Sequence, residues 1–318
     1  MASVRRVVVV GASAGGVEAL TSFIGALPEQ LPAAVLVVLH VAPGGTSVLP
    51  GILDRAGPLP VGPSSDGEPL LEGRVYVATP DRHLALEDGL VRVPLGPREN
   101  GHRPAVDLLF RSAAATFGRG VVAVVLSGAQ DDGTAGAAAV KAAGGRVVVQ
   151  EPSEALYPSM PQSVLDHVSA DAQAGAGELA RLVARWVEDG GSGMSGAGDD
   201  DQAAGLHEAG EAGASGLTCP ECGGAIYVDT PNGVTQLTCH TGHAYSPDSF
   251  AVEQHRALES ALWSAVRHLD ERAALLVGLA DRLGPGGSAE RFARAASDAG
   301  GQADVIRELI ARQAPEPA

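Results

Sequence analysis

The chain has 318 residues, of which 45% are hydrophobic and 19% charged, with a formal net charge of -16. So acidic a chain repels phosphate, and no local basic patch offsets the repulsion, which excludes nucleic acid and anionic membrane as partners. The longest apolar runs, residues 7–10 and 121–126, fall well short of the ~20 residues a membrane helix needs. The N-terminus lacks the long apolar core and cleavage site of a signal peptide, so a cytoplasmic protein without membrane insertion is expected.

Residues 1–188 alternate short Val-rich runs with Ala-rich amphipathic stretches, the pattern of a mostly parallel sheet wrapped by helices. Strands are expected at 6–10, 34–40, 74–78, 120–126 and 146–150, and helices at 16–26, 106–117, 133–143 and 176–188. Residues 84–93 read as a hairpin around an Asp-Gly turn, forming an antiparallel edge on the parallel sheet. The fold class is therefore α/β: a doubly wound, mostly parallel sheet with an antiparallel hairpin, followed by smaller units.

Residues 189–216 are Gly, Ser, Ala, Asp and Glu with almost no large apolar side chain, which predicts a flexible acidic linker. All three cysteines follow it. An odd number in a tight cluster argues against disulfides and for a metal site in a reducing compartment. In residues 217–247, Cys219-Pro-Glu-Cys222 and Cys239-His-Thr-Gly-His243 place Cys219, Cys222, Cys239 and His243 to close a tetrahedral, structural zinc site of the ribbon kind, with His240 as the alternative fourth ligand. The opposing reading is a chance cluster of thiols and imidazoles. Residues 248–314 carry Leu258, Leu262, Leu269, Leu276 and Leu279 at helical spacing, are broken at Gly284-Pro-Gly-Gly287, and resume with Phe292, Val305 and Leu309. This predicts a helical hairpin that either packs on its own core or pairs with a second copy to form a homo-oligomer.

Three segments bear chemistry. A Val-rich strand runs into a glycine-flanked serine and then a helix at Gly11-Ala-Ser-Ala-Gly-Gly-Val-Glu-Ala-Leu20. Such a turn exposes a hydroxyl at the carboxyl edge of a sheet beside a helix N-terminus, which suits an oxyanion or a phosphate. Taken alone, it reads as a catalytic serine, a phosphate loop or a structural turn. His40 ends the second strand, where ligands of open α/β sheets gather, unless it merely fixes its own loop. Asp131 and Asp132 follow the strand at 120–126; they are helix caps or the carboxylate that orients a histidine. Ser, His and Asp delivered to one edge are the nucleophile, base and orienting acid of acyl transfer.

The motif around Ser13, together with His40-Val-Ala-Pro43, Val75-Tyr-Val-Ala-Thr-Pro-Asp-Arg-His83, His102-Arg-Pro-Ala-Val-Asp-Leu-Leu-Phe-Arg-Ser112, Ser127-Gly-Ala-Gln-Asp-Asp-Gly133 and Met160-Pro-Gln, resembles the ordered motifs of the chemotaxis protein-glutamate methylesterase catalytic domain. The resemblance covers about residues 5 to 180. It implies Ser13 as nucleophile, His40 as general base and Asp132 as the carboxylate behind it, with Asp131 the weaker candidate. It further implies an oxyanion hole from the backbone N–H groups of Ala14 and Ala129, a position that is often methionine in the family. Arg82, His83, His102 and Arg103 lie in shared motifs and either line the substrate cleft or fix loops through salt bridges.

The implied reaction is hydrolysis of glutamate γ-methyl esters on a chemoreceptor or another signalling protein, with related glutamine deamidation and no catalytic cofactor. Family members usually carry a receiver domain ahead of the hydrolase, whereas this chain begins at the first hydrolase strand, so activation by phosphorylation in cis is not expected. Two other readings compete: a catalytically silent scaffold that binds through ribbon and helices, and a nucleotide-binding protein. An intact Ser13, His40 and Asp132 set counts against the first. The lack of an acidic residue after the second strand counts against the second.

Overall fold

A computed structural model describes residues 4–41, 44, 47–189 and 214–313. Most of the expected linker, 190–213, lies outside these residues, as do Ala42 and Pro43. The chain divides into two compact units, Met1–Phe250 and Ala251–Ala318.

The first unit contains β1 (Val7–Ala12), α1 (Gly16–Gly25), β2 (Ala34–Leu39), α2 (Leu49–Asp54), β3 (Val61–Pro63), β4 (Val75–Val77), β5 (Ala85–Glu87), β6 (Leu90–Arg92) and α3 (Val106–Phe117). It continues with β7 (Val121–Val125), α4 (Thr134–Ala142), β8 (Arg146–Gln150), α5 (Ser159–His167), β9 (Ala172–Ala174) and α6 (Ala176–Asp189). Four further strands follow: β10 (Ala214–Thr218), β11 (Ala225–Asp229), β12 (Gln236–Cys239) and β13 (Ala244–Tyr245), before α7 (Pro247–Leu283) begins.

β1, β2 and β7 are buried along their whole length, and such strands read as continuous Val and Leu runs because both faces are covered. They form the middle of a seven-stranded sheet in the order β3-β4-β2-β1-β7-β8-β9, with every neighbouring pair parallel. Successive residues of β1 face opposite sides. Val7 and Val9 join Leu36, Leu109, Phe110 and Val140 beneath α3 and α4; Val8 and Val10 join Leu20, Phe23, Leu179 and Val183 beneath α1 and α6.

The hairpin departs from expectation. β5 and β6 pair with each other as a separate two-stranded sheet and are not an edge of the main one. α3 supplies the reason: Leu86 N–H donates to Ser112 Oγ at 3.1 Å, Thr116 Oγ1 donates to the Leu86 carbonyl at 3.1 Å, and Leu84, Leu86 and Val91 are buried in the cluster that holds Leu109 and Phe110. The hairpin's polar backbone and apolar side chains are thus satisfied by the helix.

β10 to β13 form a four-stranded antiparallel ribbon in sequence order, around Cys219, Ile226, Leu237, Cys239, Tyr245 and Phe250. This ribbon sits against the body built on the parallel sheet. Val234, 7% exposed, belongs to the apolar cluster under α3 and α4, and the turn at 231–233 packs on α4.

The second unit is the remainder of α7 and α8 (Gly287–Gln313), separated at the glycine-rich break expected from the sequence. Val266, Ala296, Ala299 and Ala303 are buried, Arg307 bridges Asp270 and Asp304, and Leu258, Leu275 and Leu309 are exposed. No helix among the described residues is long and apolar enough to cross a membrane.

Phe110 is fully buried at the junction of α3 with the sheet, so Phe110→Ala is expected to cost about 3–5 kcal/mol of stability through lost transfer energy and a residual cavity. The midpoint of urea unfolding reads that change.

Candidate active site

β1 pairs with β2 on one side and β7 on the other, and the strand order runs outward from β1 in both directions. Open parallel sheets bind ligands at the carboxyl ends of the strands around such a reversal. Here Ser13 follows β1, His40 follows β2 and Asp132 lies beyond β7.

The three side chains meet. His40 Nδ1 lies 3.1 Å from Ser13 Oγ, and His40 Nε2 lies 2.7 Å from Asp132 Oδ2. Asp132 accepts three further hydrogen bonds: from Asn100 Nδ2 at 3.0 Å, Val106 N–H at 2.7 Å and Asp107 N–H at 3.0 Å. An acceptor-only carboxylate directs the proton of Nε2 towards itself, which leaves the Nδ1 lone pair for the serine hydroxyl. Asp131, the neighbouring candidate, does not reach His40. It is buried on the side of α5 and the ribbon, and borders a cavity of about 190 Å³ lined also by Thr134, Ser163, Gln236 and Asp248.

Burial raises a carboxyl pKa. At Asp132 the hydrogen bond and charge of His40, with His102 and the Val106 N–H behind them, outweigh burial and hold the group well below the usual carboxylate range. Asp107 goes the other way, pushed well up by burial and then by the Asp132 charge. The buried pair therefore favours one negative charge, on the residue that faces His40.

Ser13 is held by backbone. Its N–H donates to the Ser127 carbonyl at 3.0 Å, its carbonyl accepts from Gly16 N–H at 2.9 Å, and Gly15 takes the left-handed φ of 67° that the turn into α1 requires. Gly128 permits the close approach of the β7 loop, since a Cβ there would lie 2.0 Å from Met160 Sδ and 3.0 Å from Ser13 Cβ. Ser127 ties the two loops together: its Oγ donates to the Ala14 carbonyl at 2.9 Å and accepts from Tyr157 N–H at 3.0 Å. Among the described residues, neither the Ala14 nor the Ala129 N–H donates to another backbone group.

The four cleft candidates separate. His102 stacks on His40, ring centroids 3.7 Å apart and 13° from parallel. His83 is fully buried, and its Nε2 donates to the Pro97 carbonyl at 2.8 Å. Arg103 holds Asp81 through Nε and Nη2 and the Gly96 carbonyl through Nη1. Both fix the 81–97 loop. Arg82 is exposed.

Two residues of the Asp132 network drew no attention in the sequence. Asn100 precedes a glycine and reads as a turn signal; it does occupy a left-handed turn with φ 51°, yet its side chain is buried between two carboxylates. Asp107 reads as a first-turn acid of α3, but its Oδ1 accepts from Gly133 and Gly136 at the start of α4.

The ribbon brings together Cys219, Cys222, Cys239 and His243, whose ligand atoms all lie within 4.8 Å of one another. His240 is exposed and outside the group. Three of the separations, 3.6 Å for Cys219 Sγ to His243 Nδ1, 3.7 Å for Cys222 Sγ to Cys239 Sγ and 3.5 Å for Cys239 Sγ to His243 Nδ1, match the edges of a tetrahedron. Metal–sulfur bonds of about 2.3 Å and metal–nitrogen bonds of about 2.0 Å span edges of this length. The Thr241 hydroxyl, followed by the Gly224 N–H, holds the Cys222 thiol down to about 6, which favours the thiolate. His243 Nε2 meets Glu221 Oε2 at 2.7 Å, which turns Nδ1 towards the cysteines. These four residues can hold a metal ion.

The family model described as CheB methylesterase matches residues 8–183. A Methanosarcina mazei relative named protein-glutamate methylesterase/protein-glutamine glutaminase 2 is 38% identical over 177 residues, covering 53% of this chain and 48% of its own. A Myxococcus xanthus relative, protein-glutamate methylesterase/protein-glutamine glutaminase 4, is 41% identical over 160 residues, 50% of this chain and 45% of its own. The matched stretch thus spans about half the length of these relatives. The crystal structure of the Thermotoga maritima CheB methylesterase catalytic domain superposes with a TM-score of 0.54 at 35% identity, covering 57% of this chain and 97% of that one.

Burial pushes the His83 pKa below its usual value. The unfolded chain therefore binds more protons at this residue as pH falls through about 6.5, and stability drops with it. Above about pH 7 both states are neutral there and the difference vanishes. His83→Gln, which keeps a donor for the Pro97 carbonyl, is expected to flatten the fall in urea midpoint between about pH 7 and pH 5. Equal slopes in the two proteins would mean that His83 takes up its proton in the fold at no cost.

Proposed function

This chain belongs to the CheB methylesterase family, and from that membership we propose that it hydrolyses glutamate γ-methyl esters on a protein substrate through Ser13, His40 and Asp132. The observation that carries the proposal is the relay itself: Nδ1 of His40 3.1 Å from the Ser13 hydroxyl, and Nε2 2.7 Å from a carboxylate that burial has not neutralised.

In this reading His40 Nδ1 takes the Ser13 proton as Oγ attacks the ester carbonyl, and the imidazolium so formed is stabilised by Asp132. The N–H groups of Ala14 and Ala129 receive the oxyanion. His40 then returns the proton to the departing methoxide, and methanol leaves an acyl-enzyme on Ser13. Water, deprotonated by the same nitrogen, releases the glutamate carboxylate and restores the serine. Glutamine in place of the ester gives the same acyl-enzyme with loss of ammonia, in keeping with the double name of the relatives. His102 stacked on His40 limits the tilt of the ring during both transfers. The substrate is a methylated chemoreceptor or another methylated signalling protein, which the family membership supports.

The metal of the Cys219, Cys222, Cys239 and His243 site is zinc, supported by the three-thiolate, one-imidazole donor set. Four protein ligands leave no open position, so its role is structural and the ester chemistry needs no cofactor.

A fluorophosphonate probe is expected to label Ser13 and to lose that label in Ser13→Ala, with His40→Ala and Asp132→Asn slower by about a thousandfold or more. Mass spectrometry of the adduct checks this; a well-folded protein that takes no label would favour the silent-scaffold reading. Protein purified reduced and without chelator is expected to contain about one zinc per chain, falling when Cys222 is changed to Ser. Elemental analysis that finds no metal would remove the zinc assignment.

A further inference from the structure

The ribbon is joined to the Asp132 network through one side chain. Asn100, 3% exposed, has all four of its amide valences filled. Its Nδ2 donates to Asp107 Oδ2 at 2.9 Å and Asp132 Oδ1 at 3.0 Å; its Oδ1 accepts from Ser246 N–H at 2.8 Å and Ser249 Oγ at 2.8 Å. A backbone N–H can only donate, so Ser246 requires the amide oxygen to face the ribbon. The amide nitrogen is thereby turned towards the two carboxylates.

The main chain continues the connection. Asn100 N–H donates to the Ala244 carbonyl at 2.8 Å, and Ala244 N–H donates to the Arg98 carbonyl at 3.4 Å. Ala244 follows His243, one of the four metal-site residues, and two residues later comes Ser246. A second tie runs through Glu221: one carboxylate oxygen meets His243 Nε2 at 2.7 Å, the other lies 3.8 Å from Arg98 Nε. Tyr245 between them is 1% exposed, its hydroxyl 3.6 Å from Cys219 Sγ. Residues 243–246 thus run from the metal site to Asn100, and Ser249, in the first turn of α7, adds the second donor to its amide oxygen.

We propose that Asn100 and Ser249 are positioning residues for the Asp132 carboxylate, and that the metal held by Cys219, Cys222, Cys239 and His243 clamps the 243–249 strap that orients them. This rests on the Ser13, His40 and Asp132 reading of the site. With the strap in place, the Asn100 amide donates to both Asp107 and Asp132, and Asp132 is held with one oxygen on His40. With the strap released, Oδ1 of Asn100 loses both donors and the amide is free to turn its oxygen towards Asp132, which disfavours the ionised carboxylate and loosens His40.

The test uses the full chain loaded with zinc. Ser249→Ala removes one of the two donors to Asn100 and leaves the four metal-site residues untouched; it is expected to retain one zinc per chain and to slow fluorophosphonate labelling of Ser13 by about tenfold, the size of one buried hydrogen bond. Chelation of the wild type, which releases both donors, is expected to slow labelling at least as much, and chelation of Ser249→Ala to bring it to the rate of the chelated wild type and no lower, since both act through the Asn100 oxygen. The second readout is the low-field proton resonance of His40 Nε2–H bonded to Asp132, assigned by its loss in His40→Gln. It is expected to be sharp in the loaded wild type, and broadened or lost in Ser249→Ala and after chelation.

Wild-type labelling rates and an unchanged resonance in loaded Ser249→Ala would overturn the proposal while leaving the Ser13 reading intact. Absence of labelling in the loaded wild type would remove both. If circular dichroism shows that chelation unfolds the first unit, loaded Ser249→Ala alone decides.

Discussion

A carboxylate with 1% of its surface exposed stays ionised only if protein donors replace the water it has lost. Asp132 has four, and they come from three parts of the chain: the His40 ring after β2, the Asn100 amide in a turn, and the N–H groups of Val106 and Asp107 at the start of α3. The arrangement around this group is consequently over-determined. Moving α3, the 98–102 turn or the loop after β2 would strand a buried charge, which is far costlier than losing an ordinary surface contact. Asp107 reinforces the constraint by joining the start of α3 to the start of α4.

The parallel sheet makes such convergence inexpensive in chain length. Adjacent parallel strands end at the same edge, so residues 13, 40 and 132, widely separated in sequence, need only short loops to meet. Each loop has its own restraint: Gly15 for the turn after β1, Gly128 for the tight passage after β7, and Ser127 bonded to both sides. The histidine is fixed in plane by Asp132 and across its face by His102. A base restrained in both ways loses little entropy on taking up a proton in a defined direction.

Much of this was legible in the residues, because Val7 to Val10, the 34–40 run and the 121–126 run are apolar without alternation, and only a strand covered on both faces reads so. The serine turn and the order Ser, His, Asp followed from where those runs stop. The metal-site residues were legible from the Cys219-Pro-Glu-Cys222 knuckle and the Cys239-His-Thr-Gly-His243 segment, which together offered three thiols and left the fourth ligand between His240 and His243. The hairpin's place was not: Asp88-Gly89 announces a turn, but nothing local tells an edge strand from one that α3 satisfies through Ser112 and Thr116. Asn100 escaped for a similar reason. Its local signal is a turn, and its partners, Asp132 beyond β7 and Ser246 and Ser249 after the ribbon, are far from it in sequence and meet it only in the folded chain.

Val234 carries a consequence for how the protein is made. It belongs to the same apolar cluster as the inner faces of α3 and α4, yet it is encoded well beyond α6, on the far side of residues 190–213. A chain emerging from the ribosome presents the seven strands and their helices before this side chain exists to close the cluster. Until translation has passed the ribbon, the apolar surface near α4 that Val234 covers in the finished fold is therefore left open to water.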